Sequence, residues 1–148
     1  MSKQIIIDDG LKTYELVNKD KKVLGEISFN PSDMNITQRY KKVVEELENM
    51  DELENMDVHT KNGDETKDTI EAIELTDQIV YEKIDYLVNA PVAETLFSVM
   101  GPFSPMPSGQ YFVEYIMEVI GNIITQETGA RVKKMRKRIQ KHTKKYHG

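Results

Sequence analysis

Residues 23–47, VLGEISFNPSDMNITQRYKKVVEEL, change their hydrophobic period midway, and that change constrains the fold more than any other feature of the chain. Val23, Ile27 and Phe29 fall on one side of a period-two pattern, with Glu26 and Ser28 on the other, as in a half-buried strand. Asn30-Pro31 stops the strand, because proline has no N–H for a ladder and holds its predecessor in an extended or turn geometry. Beyond it Ile36, Tyr40, Val43, Val44 and Leu47 share one face of a helix. Ser32, Asp33 and Asn35 are candidate N-caps, with Gln38 placed to close a capping box on Asn35.

On the N-terminal side, residues 13–17 alternate in the same way and pair with 23–29 as a β-hairpin across the polar turn Asn18-Lys19-Asp20-Lys21. Ile5, Ile6 and Ile7 read as an added edge strand, closed by the turn residues Asp8-Asp9-Gly10. A lone hairpin is marginal in water, so its apolar face must lie on helices or on another copy of the chain.

On the C-terminal side the pattern is helical. The first helix runs from about 33 past 50, where ELENMD at 46–51 recurs unchanged at 52–57. Six residues turn a helix through about 600°, so the second copy cannot extend the stripe of the first. The repeat reads as a tolerated duplication, or else as an acidic patch of Glu45, Glu46, Glu48, Asp51, Glu52, Glu54 and Asp57. A second helix is expected over about 67–89, with Ile70, Ile73, Val80, Ile84, Leu87 and Val88 as its apolar stripe and Tyr81 beside it. A short one follows over 91–100. Residues 101–109, GPFSPMPSG, hold three prolines and predict an irregular hinge. Ser108 caps a last helix over about 110–128, which Gly129 would end in a left-handed C′ position.

The fold class expected is therefore α+β and predominantly helical: an N-terminal β-hairpin, about four helices and a C-terminal tail. One acidic domain covers 1–130, divided into a hairpin region at 1–31 and a helical region at 32–130.

Charge divides the chain more sharply than its net of -5 suggests. Of 20 basic residues, nine lie at 131–148 with no acid among them, which leaves 11 basic against 25 acidic residues in the body. Such asymmetry points to a partner or to self-association. The tail residues are Arg131, Lys133, Lys134, Arg136, Lys137, Arg138, Lys141, Lys144 and Lys145, and the segment reads as helical or disordered. It reads as a solvated end, or as a ligand for an acidic surface such as another copy's body. Nucleic-acid phosphate ranks lower, because Tyr146 is its one aromatic residue. A membrane role ranks last, because Val132, Met135 and Ile139 make only a thin apolar edge.

The remaining chemistry is sparse. With no cysteine there are no disulfides or thiolate metal sites, which fits a cytoplasmic protein. No apolar run approaches the ~18 residues that span a bilayer, and MSKQIIIDDG does not read as a signal peptide. His59, His142 and His147 have no neighbour at metal-binding spacing, and the eight glycines form no phosphate loop. No catalytic, metal or cofactor residue is expected. Phe112, Val113, Ile116, Met117, Ile120, Ile123 and Ile124 give the last helix a wider apolar stripe than a surface helix needs, which predicts a client-binding or self-association surface.

Lys12-Thr13-Tyr14-Glu15, Gly25-Glu26, Phe29-Asn30-Pro31-Ser32-Asp33 and Arg39-Tyr40 together resemble the tail assembly chaperones of long-tailed phages and prophages of Gram-positive bacteria. The resemblance covers about the first third of the chain, and the helical remainder only in character. It implies a non-enzymatic, cytoplasmic protein absent from the mature virion. Such a protein would coat the apolar stripes of a tape measure protein, recruit tail tube protein and form a homo-oligomer. Two other readings stand beside it: a nucleic-acid-associated phage protein acting through the tail, and a head–tail or other virion subunit.

Overall fold

The computed structural model describes the backbone of residues 2–57 and 65–147, with side chains at 2–49, 70–72 and 74–129. Strands β1 (Lys12–Val17) and β2 (Val23–Phe29) form a two-stranded antiparallel sheet. They are followed by helices α1 (Asn35–Asp57), α2 (Glu65–Val88), α3 (Ala93–Phe97) and α4 (Phe112–His147). The fold is α+β and predominantly helical, as the change of period requires. Among the described residues no helix is long and apolar enough to cross a membrane.

The hairpin owes its register to its turn. Asn18 Oδ1 accepts hydrogen bonds from the backbone N–H groups of Asp20 and Lys22 at 2.9 and 3.0 Å. Lys21 takes the left-handed conformation (φ 64°) that closes the loop. Tyr14 then faces Ile27 across the sheet, and Leu16 faces Gly25. Tyr14 and Leu16 are half-buried, Ile27 and Phe29 buried, so this face is the one laid on the helices. Gly25 is required here, since a Cβ would stand 2.8 Å from Thr95 Cγ2 of α3.

Residues 5–7 do not join this sheet. Asp8 and Asp9 each bond the backbone two residues on, at Gly10 and Leu11, and Gly10 sits at φ +72° against the Asn30 side chain. The chain is pinned at that corner, and the three isoleucines stand in solvent rather than pairing as an edge strand.

The helical core is shared by all elements. Phe29, Ile36, Val43, Val80, Ile84 and Leu87 are fully enclosed, and α4 closes the cluster with Phe112, Ile116 and Ile120. The rings of Tyr81 and Phe97 stack at 5.1 Å, and Phe97 meets Phe112 edge-on at 6.0 Å. This arrangement overturns one expectation from the sequence. Phe112, Val113, Ile116, Met117, Ile120 and Ile124 are buried and Ile123 partly so, hence they form no client or self-association surface. Their stripe is wide because α4 is covered from several sides at once. Phe97 comes from α3, Tyr40 from α1, Phe103 from the preceding loop, and Lys12 of β1 pairs with Glu127 at 2.6 Å.

Nor are residues 101–109 a hinge. Pro102 is fully buried, and Phe103 and Met106 pack on the core. Ser104 and Pro102 carbonyls accept the N–H groups of Phe112 and Val113 at 2.9 and 2.8 Å, and Met106 N–H bonds Gln110 O at 2.8 Å. These bonds stitch the loop onto the start of α4.

Helix α4 does not end at Gly129. It is continuous to His147, so the boundary at 130/131 is one of composition and not of backbone. The basic side chains from Arg131 to Lys145 lie outside the described residues, as do the side chains of the second ELENMD copy, the loop at 58–64 and the side chain of Ile73.

Candidate docking surface on helix α2

Two stripes run along α2. The inner one is the core stripe of Val80, Ile84, Leu87 and Val88. The outer one consists of Ala72, Leu75, Ile79 and Tyr86, with Glu82 at the one polar step, and its spacing of 3, 4, 3 and 4 residues is that of a coiled-coil seam. These positions fall within about 80° of one another around the helix, on the side away from the core. Leu75 is 62% exposed, Ile79 43% and Tyr86 47%. The outer stripe is bordered by Glu71, Glu74 and Gln78, so it is an apolar seam with an acidic margin.

Helix α1 holds α2 in place from the other side. Lys83 pairs with Glu46, and the Lys42 ammonium lies 5.3 Å from the centre of the Tyr86 ring, which fixes the last exposed aromatic of the seam. Arg39 makes the closest tie. Its Nε donates to the carbonyl of Leu87 at 2.9 Å, where the α2 dipole is negative, and its Nη2 reaches Asp33 Oδ2 at 3.1 Å.

Asp33 is the cap of α1. Its Oδ1 accepts the Asn35 N–H at 3.0 Å, and its carbonyl accepts that of Ile36. Asn35 is already helical, so the cap lies two residues earlier than expected and the box with Gln38 is not formed. The bond from Asn35, and then Arg39, hold the Asp33 carboxyl below its ordinary value. The stability it contributes is therefore complete above the unfolded-state pKa of about 3.9 and lost as pH falls through the lower folded-state value. Asp33→Ala should cost about 1–2 kcal/mol in urea unfolding at pH 7 and progressively less as the pH is lowered below about 4. An equal cost at pH 7 and pH 2 would assign the effect to packing alone.

Between α1 and α4 lies an open recess of about 490 Å³, lined by Thr37, Tyr40, Glu118, Gly121 and Asn122 among others. Tyr40 Oη donates to the Met117 carbonyl at 2.9 Å, and burial followed by the Glu118 charge raises its pKa. Gly121 makes room for that ring, since a Cβ would come within 2.6 Å of the hydroxyl. Tyr40 is thus committed to holding α1 on α4. Among the described residues no three His, Asp or Glu side chains are grouped to hold a metal ion.

The residues that carry the phage-chaperone resemblance are the joints of this scaffold. Gly25 admits α3, Asn30 Oδ1 accepts the Ser32 N–H at 2.9 Å, and Pro31 is buried. Asp33, Arg39 and Tyr40 then fix α1 against α2 and α4. The outer seam of α2 escaped the sequence reading, which took one stripe per helix. Its signal was present as a second seven-residue repeat, offset from the first and interrupted only at Glu82. Comparison of the chain with family models, with curated proteins and with solved structures gives no match.

Proposed function

We propose that this protein is a non-enzymatic tail assembly chaperone of a long-tailed phage or prophage. In this reading it works in the host cytoplasm, shields apolar stripes of the tape measure protein, recruits tail tube protein, associates with its own copies and leaves before the virion matures. The observation that carries the reading is the outer seam of α2: Leu75, Ile79 and Tyr86 at coiled-coil spacing on a rigidly held helix. A long helical client with exposed apolar stripes offers the matching surface, and the acidic margin favours a client helix with basic flanks. The resemblance supports the reading from the scaffold side.

The test is co-expression with a tape measure protein of a long-tailed phage. The chaperone should keep that client soluble and co-purify with it in high salt. Leu75→Gln with Ile79→Gln retains helix propensity and removes the apolar seam, and should weaken the complex at least tenfold. A complex indifferent to both changes would exclude α2 as the client surface. The basic tail keeps a second reading in view, binding to nucleic acid. That would weaken steeply with salt and survive in the isolated tail peptide. Incorporation into purified particles would instead favour a virion subunit.

A further inference from the structure

We propose that residues 4–9, QIIIDD, are an exchange strand that adds antiparallel to the β2 edge of a second copy of this chain. The proposal shares only self-association with the functional reading above, and names where it occurs. Ile5, Ile6 and Ile7 are 84%, 98% and 76% exposed, three consecutive β-branched residues outside the core cluster. Among the described residues no hydrogen bond reaches the backbone of residues 4–7, and none reaches the outer edge of either strand. One chain therefore carries both an unpaired strand-forming segment and unpaired strand edges, the pairing that edge strands are normally protected against.

The chain's own geometry keeps the two apart. The side-chain turns of Asp8 and Asp9, and the corner where Gly10 abuts Asn30, direct the segment away from its own hairpin. Charge and hydrophobicity select β2 of another copy. Run antiparallel to β2, the segment sets Asp8 and Asp9 beside Lys21 and Lys22 of the turn, with Lys19 nearby. The same alignment lays the isoleucines along Val23 and Leu24, which are exposed together with Val17 at the hairpin tip. Glu15 and Glu26, paired across the outer face, would repel an acidic segment laid in the opposite direction. The added strand would also turn a two-stranded sheet into a three-stranded one, the smallest that is stable on its own terms.

The test uses the full chain. Sedimentation of the wild type at tens of micromolar should show a species of at least twice 17.1 kDa, and Ile6→Asp should return it to the monomer mass with an unchanged circular dichroism spectrum. Ile6 is almost fully exposed and outside the core, so the substitution leaves the fold of its own copy intact. Because the chain has no cysteine, Ile6→Cys in one tagged copy and Leu24→Cys in another should form a mixed disulfide under mild oxidation. A monomeric wild type, an Ile6→Asp protein that associates as the wild type does, or a cross-link no stronger than that with Ser98→Cys would each overturn the proposal. None of these outcomes touches the client reading, which is tested through Leu75 and Ile79.

Discussion

Ile120→Asp should unfold the protein outright, while Leu75→Gln should leave its stability within about 0.5 kcal/mol of wild type. Both residues lie in apolar stripes at helical spacing, so spacing alone does not tell them apart. Ile120 is 2% exposed among Ile116, Ile124 and the other core residues, so a carboxylate there would be buried with no described cation to pair with. Burying an unpaired charge costs several kcal/mol, a large part of the about 5–15 kcal/mol that holds a domain of this size together. Far-UV circular dichroism and urea titration should show loss of helix and of a cooperative transition. Leu75 faces water, and glutamine is a good helix former, so only partner binding should change. If Ile120→Asp remains folded and merely loses an oligomer, then α4 presents its stripe outward and the core assignment fails.

That contrast marks where the sequence stops being sufficient. Period identifies which residues of a helix are apolar, but it does not count the elements that cover them. The breadth of the stripe from Phe112 to Ile124 looked like surplus surface, and it is used up by α1, α3, β1 and the loop at 101–109 meeting on one helix. In α2 the opposite happened: Leu75, Ile79 and Tyr86 stay largely exposed beside the buried Val80, Ile84 and Leu87. The strand-to-helix change at Asn30-Pro31 was legible because local rules decide it, and the hairpin turn at Asn18 for the same reason.

Gly129 and the prolines misled through local rules that tertiary structure overrode. Glycine costs a helix roughly 1 kcal/mol relative to alanine, which does not suffice to end one. Three prolines make a segment irregular without making it loose, and Pro102 and Phe103 are anchored by burial. The isoleucines at 5–7 have strand propensity but no edge of their own within reach, because the Gly10 corner turns the chain away.

Asp85 should prove the most sensitive polar residue of the fold, although nothing in the sequence singles it out. Helix α2 ends at Asn89 in the left-handed conformation (φ 53°), and Pro91 follows, so α3 begins with no cap from its own N-cap residue Val92. Asp85, one turn back on α2, supplies the missing acceptor: its Oδ1 lies 2.8 Å from the N–H groups of both Val92 and Ala93. Those two residues are almost fully enclosed, so water cannot replace the carboxylate. Val92 N–H keeps a second bond to Ala90 O at 3.0 Å, whereas Ala93 N–H has no other described partner. Asp85→Ala should therefore cost about 2–3 kcal/mol, mostly from stranding the Ala93 donor, and lower the Tm by roughly 5–10 °C. Asp85→Asn keeps an acceptor oxygen and loses only the charge assistance, so about 1 kcal/mol is expected. Hydrogen exchange separates the causes: in Asp85→Ala the amide of Ala93 should lose protection before those of Ile84 and Leu87. Loosening α3 also frees Thr95 from Gly25, so protection in β2 should fall with it. An Asp85→Ala protein as stable as the wild type would mean that the two bonds contribute nothing, and that α3 is held by Leu96 and Phe97 alone.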